Sequence, residues 1–264
     1  MNTTQLLLKG WTFNPVVIVF GLGVLVTYIV ELGFSRRVWY LIAAVAMVFF
    51  ALLSPVETLA RGYLFSAHML QHMLLLLIVP ALFIMGLPRG FTLPQGLQRA
   101  LSHPFLCWLA GVGSMWFWHI PRLCDAATTY RPIFAIETVS LLVLGTAFWW
   151  RILAPCETNR LSPPGAIIYL FTACVACSAL GIIVTLSPVP VCTVFQQPVD
   201  RLGLLHTIRG DWGMTSDKDQ QIGGLMMWVP LCFVYLSAIF AQIIRWFAPA
   251  AEAAHIHIHG GKIS

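Results

Sequence analysis

Charge is what this chain has least of. Asp, Glu, Lys and Arg make up 9% of its 264 residues, against about 25% in a soluble domain whose surface must face water. That scarcity excludes a water-soluble enzyme, a nucleic-acid binder and a disordered chain. The cationic excess, 15 Lys and Arg over 10 Asp and Glu, is spread thinly, with no basic block such as a nucleic-acid surface requires. It reads better as membrane orientation. Also missing are a nucleophile elbow, a phosphate-binding loop, a dinucleotide fingerprint and an HExxH pair, so no catalysis is expected. No internal repeat of about 20 to 50 residues is visible, and no Gly/Ser or charged linker divides the chain. No Arg-rich leader with a cleavage site opens it, so the first span is expected to be retained.

What the chain has instead is apolar length. Hydrophobic residues make up 59% of it and the mean hydropathy is +0.83. A spanning helix needs about 20 mostly apolar residues. Seven stretches qualify: 10–30, 38–56, 62–88, 100–121, 132–150 (interrupted by Glu137), 161–199 and 220–244. Pro188, Pro190 and Pro198 break the sixth, so its helix is expected near 164–186, followed by a long polar loop to Gln221. Only helices satisfy their own backbone in lipid without closing a barrel. The expectation is therefore an all-α integral membrane protein, one seven-helix domain over 1–247 with a short flexible His-containing tail at 248–264. The short loops carrying Arg36, Arg37 and Arg89 read as cytoplasmic, which puts the N-terminus outside and the C-terminus inside. In the tail, His255, His257 and His259 alternate, a pattern capable of weak metal binding but more simply read as a frayed end.

Ionisable and coordinating side chains inside spans are costly, so each is a functional hypothesis. His68 and His72 lie four residues apart near the start of the third span and project from one helix face, close enough to share a metal. Met69 and Met73 repeat that spacing on the adjacent face. His119 closes the fourth span, Glu137 lies early in the fifth, and Met226 and Met227 open the seventh just after Asp219. In a seven-span topology all of these share one depth, in the outer leaflet. Imidazole with thioether suits copper, Cu(I) in particular, and suits calcium or magnesium poorly. The plainer alternative is that the two histidines hydrogen-bond within the bundle while the methionines pack. Haem is the second cofactor choice. Two histidines of one helix cannot face each other across a ring, although His68 or His72 with His119 could.

Seven cysteines are present. Cys174 and Cys177 form a CxxC at mid-span, where no redox role is expected. Cys124 and Cys192 both belong to the outer side. They could pair as a disulfide or offer thiolates to copper, and unpaired loop thiols are the plainest reading.

Several blocks resemble the multi-spanning CtaG-type cytochrome c oxidase assembly proteins. Ser54-Pro55 with Leu64-Phe-Ser-Ala-His-Met-Leu-Gln-His-Met-Leu74 and the 80–88 segment is the first. Trp118-His-Ile-Pro121 with Asp125-Ala-Ala127, Glu137 before Phe148-Trp-Trp150, and Asp219-Gln-Gln-Ile-Gly-Gly-Leu-Met-Met-Trp-Val-Pro230 follow in order. The resemblance covers roughly 54–247. It implies a multi-pass protein of the bacterial inner membrane that is not an enzyme and helps build a haem-copper oxidase, with copper supply as its task. The implied partners are oxidase subunits or a periplasmic copper donor, besides membrane lipid. By that analogy His68, His72 and His119 are candidate ligands, with Met226, Met227 and Asp219 at the rim. Two departures stand out: Thr138 follows Glu137 where the family usually has His, and Cys124 replaces a Tyr. Either metal is bound differently here, with Cys124, or the chain serves as a non-catalytic subunit of a respiratory complex. A transporter of copper or another small solute is the remaining alternative. It would need polar groups continuing inward, and the inner halves offer little beyond Glu31 and the Cys174/Cys177 pair.

Overall fold

The computed structural model describes residues 1–260, and the side chains of 1–248. The described residues form helices and connecting loops, with no strand among them. In order the helices are α1 (Thr3–Lys9), α2 (Pro15–Leu32), α3 (Val38–Leu53), α4 (Pro55–Ala60), α5 (Phe65–Met73) and α6 (Val79–Gly86). Then come α7 (Gln95–Leu101), α8 (Pro104–Trp118), α9 (Pro121–Thr129), α10 (Arg131–Leu153), α11 (Pro163–Leu186) and α12 (Ser216–Gly260). The tail histidines expected to be flexible belong to α12 by its bounds, and their side chains lie outside the described residues.

Five helical stretches among the described residues are long and apolar enough to cross a membrane: Pro15–Leu32, Phe65–Gly86, Arg131–Leu153, Pro163–Leu186 and Ser216–Ala248. The second and fourth of the seven expected runs yield shorter helices. Val38–Leu53 has 16 residues and Pro104–Trp118 has 15, which at 1.5 Å per residue is about 23 to 24 Å. Prolines set these limits. Ser54 accepts from the Val56 N–H and Pro55 opens α4, while Pro104 and Pro121 each start a new helix. Proline suits a first helical turn and breaks an interior.

α5 and α6 are one rod interrupted by a π-helical turn at Leu74–Ile78. Pro80 has no N–H to give the Leu76 carbonyl, and its ring crowds that group. The helix widens there, and the Leu76 carbonyl faces α10 at Gly145. A Cβ on Gly145 would collide with that oxygen, so the missing side chain is what lets the two helices meet. Comparable close approaches set Gly111 against Phe148, Gly181 against Trp228, and Gly223 against Phe65 and Met69. In lipid, small residues of this kind are the usual means of bringing helices together. α2 is the exception, because it packs on α3 by one flank. A Cβ on Gly21 would lie 2.7 Å from Phe49, Tyr28 donates its O–H to the Gly86 carbonyl at 2.9 Å, and most of the helix is exposed.

The segment between α11 and α12, expected as a polar loop, is an ordered cap over one end of the bundle. It holds a 3-10 turn (Thr193–Phe195) and a π turn (Thr207–Asp211). Leu204 and Ile208 form a small core with Leu6, Tyr63 and Leu64. The Asp200 carboxylate accepts from Tyr63 Oη (3.2 Å) and from the Leu204 and Leu205 N–H groups (2.8 and 3.2 Å).

Gly145→Val should cost on the order of 1 to 3 kcal/mol, the usual penalty for overpacking a tight contact. Gly23→Ala, where an added Cβ meets nothing within 4 Å, should leave thermal unfolding in detergent unchanged or raise its midpoint.

Candidate metal centre

Four helices deliver polar side chains to the capped end of the bundle. α5 contributes His68 and His72 one turn apart, with ring centroids 4.5 Å from each other. α10 contributes Glu137, whose Oε1 lies 3.0 Å from His72 Nε2 and 3.7 Å from His68 Nε2. α8 ends on His119, whose ring packs edge-on against His72 at 5.2 Å. α12 contributes no donor to this group but anchors it. The Asp219 carboxylate accepts from the Phe65 N–H (2.7 Å), the Ser66 N–H (3.0 Å) and Ser66 Oγ (2.6 Å). It thus caps the start of the helix that carries both histidines. Glu137 is steadied through its own carbonyl, which accepts from Ser140 Oγ, itself bonded by Trp118 Nε1 next to His119.

All of these groups are buried, His68, His72 and Glu137 at 1% exposure each. One donor atom from each of those three fits within 4.8 Å of the others. His72 Nε2 shares a hydrogen bond with Glu137 Oε1, and its Nδ1 has no partner. Neither nitrogen of His68 has one. His119 is the most telling member. Its Nδ1 lies 2.6 Å from the Met115 carbonyl, which can only accept, so Nδ1 carries the proton of the neutral ring. Nε2 then presents a lone pair, and it faces the Met69 sulfur at 3.0 Å. A thioether has no hydrogen to give. Two electron-pair donors face each other.

Of the residues singled out in the sequence, His68, His72, His119, Met69 and Glu137 are brought together. Asp219 supports them from below. Met73 and Met227 are buried in the apolar core and Met226 is half-buried, and among the described residues none of these three sulfurs hydrogen-bonds a histidine. Cys124 is corrected outright: it forms a disulfide with Cys192, so it offers no thiolate in this state and neither cysteine is an unpaired loop thiol. α9 turns Cys124 inward against the cap, bringing the two Cα atoms to 5.7 Å, within bonding range. Nor do Cys174 and Cys177 pair. Cys174 Sγ lies 3.6 Å from Cys232 on α12, which also contacts Ser178 Oγ. Thr138 is buried with its hydroxyl unpartnered.

Sequence reasoning missed Gln71 and Glu57. Gln71, between the two histidines, donates from Nε2 to the Ala51 carbonyl (2.6 Å) and to Glu57 Oε2 (2.7 Å). Glu57, at the capped end on α4, lies 3.8 Å from Arg61, whose guanidinium sits over the Phe134 ring. Its acidic side chain sits one residue beyond the second apolar run, and nothing in local spacing ties it to Gln71. Burial pushes Glu57 up from 4.5 to about 7, against the opposing pull of Gln71 and Arg61. A carboxyl raised on folding stabilises the fold fully below its unfolded value, and that contribution is lost as pH climbs through the folded one. Stability should therefore fall from pH 5 to pH 8 by on the order of 2 kcal/mol through this group. Glu57→Gln should flatten that slope in thermal unfolding curves.

The family model for the cytochrome c oxidase caa3 assembly factor (Caa3_CtaG) matches residues 18–248. An uncharacterised protein of Mycobacterium leprae is 26% identical over 236 residues, which is 80% of this chain and 34% of that protein. Uncharacterised proteins of Mycobacterium bovis and Mycobacterium tuberculosis are each 24% identical over 207 residues, 69% of this chain and 30% of theirs. The chain thus spans about a third of the length of these relatives. No solved structure matches it. The match takes in every helix that builds the histidine cluster, and on that ground the chain belongs to the cytochrome c oxidase caa3 assembly factor family.

Proposed function

We propose that the protein binds copper as cargo at the His68/His72/His119/Met69 cluster and supplies it to an assembling oxidase. The observation that carries this reading is the contact between His119 Nε2 and the Met69 sulfur. Neither atom has a proton to share, and a cation seated beside the pair would take both lone pairs as ligands. Imidazole nitrogen and thioether sulfur together suit a soft cation such as Cu(I). The unpartnered nitrogens of His68 and His72 add further lone pairs, and leaving them unmatched in the bundle costs free energy. Glu137 orients His72 as a carboxylate commonly orients a metal-binding imidazole. An ion fits better than haem, because His72 and His119 meet edge to face at 5.2 Å and a porphyrin would have to lie between them.

The protein spans the bacterial inner membrane seven times in this reading, with α3 and α8 completing the five longer spans and the cluster at the periplasmic end. The Cys124–Cys192 disulfide at that end supports the orientation, since such bonds persist in oxidising compartments. A reporter fused after Phe247 should then be active only in the cytoplasm. A periplasmic signal would reverse the placement.

Cu(I) titration of the detergent-purified protein should show stoichiometric binding that His68→Ala/His72→Ala abolishes and Met69→Leu weakens, with the fold retained by circular dichroism. Loss of a ligand should exceed the roughly 10 to 100-fold typical of removing an orienting partner, so Glu137→Gln should be milder than His119→Ala. Unchanged copper content in the double variant would leave the histidines as a purely structural network. Cells lacking the protein should retain oxidase polypeptides and haem but lose oxidase activity, with partial recovery in excess copper.

A further inference from the structure

A cavity of about 400 Å³ opens between the end of α11, the start of α12 and the cap. Phe65, Phe195, Cys192, Asp217 and Gln221 are among its walls. Phe195 belongs to both the cavity and the cluster. It is 3% exposed, its ring centroid lies 6.0 Å from that of His68, and it meets Phe65 edge-on at 5.9 Å. On one side of these two rings is a space for about a dozen waters with polar groups at its mouth. On the other is an imidazole with neither nitrogen partnered.

We propose that this cavity is the route by which the soft cation reaches His68, and that Phe195 is the side chain that closes it. The inference rests on the copper reading for the identity of the cargo, but the route stands on geometry alone. The backbone of Phe195 is held at three places. Cys192, three residues before it, is bonded to Cys124 on α9. Asp125, on the same helix, accepts from Thr193 Oγ1 (2.8 Å) and the Val194 N–H (3.2 Å). Arg209 Nη2 donates to the Phe195 carbonyl itself (3.0 Å). With the backbone pinned, the freedom left to Phe195 is rotation of its ring, and the cavity supplies the space to receive it. The disulfide thus acts as a tether that keeps the door aligned with its frame, and not as a ligand. A cation carried by a small ligand fits the cavity; a folded protein does not, so a donor must release the ion at the mouth.

Diethyl pyrocarbonate modifies unprotonated imidazole and needs no metal, so its rate at His68 and His72, read by peptide mass spectrometry in nanodiscs, measures access directly. Phe195→Ala should raise that rate by about tenfold or more, since reactivity of a buried group follows the population of the open form. Cys124→Ser/Cys192→Ser should raise it by a smaller factor. Where Phe195→Ala lowers the unfolding midpoint sharply, Asp217→Cys coupled to a bulky maleimide gives the converse test: it should slow modification of His68 relative to maleimide-treated wild type, which carries only the native thiols. Unchanged His68 reactivity in Phe195→Ala, or in the blocked Asp217→Cys protein, would overturn the route. Cu(I) uptake followed in parallel separates the two readings. Faster modification without any Cu(I) binding would remove the copper cargo and leave the route, whereas normal Cu(I) binding with unchanged modification would remove the route and leave the cargo.

Discussion

A sulfur and a nitrogen that both offer electron pairs, held 3.0 Å apart in an apolar bundle, define the tension around which this protein is organised. The contacts that fix them come from α8 and α12. The Met115 carbonyl decides which nitrogen of His119 keeps its proton. The absent side chain of Gly223 lets α12 press on Phe65 and Met69, and Asp219 ties the first turn of α5 to the same helix. α12 in turn is held against α11 at the close approach of Gly181 and Gly224. The packed interior thereby holds an imidazole nitrogen and a thioether sulfur side by side, the donor pair on which the proposed site rests.

The same logic separates what the sequence disclosed from what it concealed. The helical character, the limits of α11 and the convergence of His68, His72, His119 and Glu137 at one end were all legible, because each follows from apolar run length or from position within a run. Partnerships across helices were not. The sequence favours Met226 and Met227 over Met69 as sulfur ligands, and only the rotation of α5 and α12 about their axes decides that Met69 meets an imidazole. Cys174 reads as half of a CxxC, yet its sulfur meets Cys232 of α12 at 3.6 Å, a partner no local spacing announces. Gln71 was hidden in plain view between two conspicuous histidines. The cap was misjudged because its order comes from distant residues such as Tyr63 and Leu6, far along the chain.

The cluster also bears on what distinguishes this chain within its family. Thr138 occupies the place where the resemblance leads one to expect a histidine, and its hydroxyl is buried without a partner. In the proposed site the donors come from α5 and α8, with Glu137 as an orienting group. The cavity approaches from the side of α11 and α12, away from α10, so the substitution leaves the access route intact.

The Cys124–Cys192 bond joins residues 68 apart in sequence, and the ring of chain it closes contains the whole of α10 and α11. For a random coil, closing a ring of that size removes disorder worth about 4 kcal/mol. Helices already threaded through a bilayer are not a random coil, and two inserted rods have far fewer arrangements to lose. The bond then does less for overall stability than for topology: it makes α10 and α11 a closed hoop at the cluster end, with α5 and α12 packed against it from outside. Glu137 rides on that hoop while both histidines of α5 lie outside it, so the bond fastens the carboxylate's helix and the cap into one closed segment facing α5.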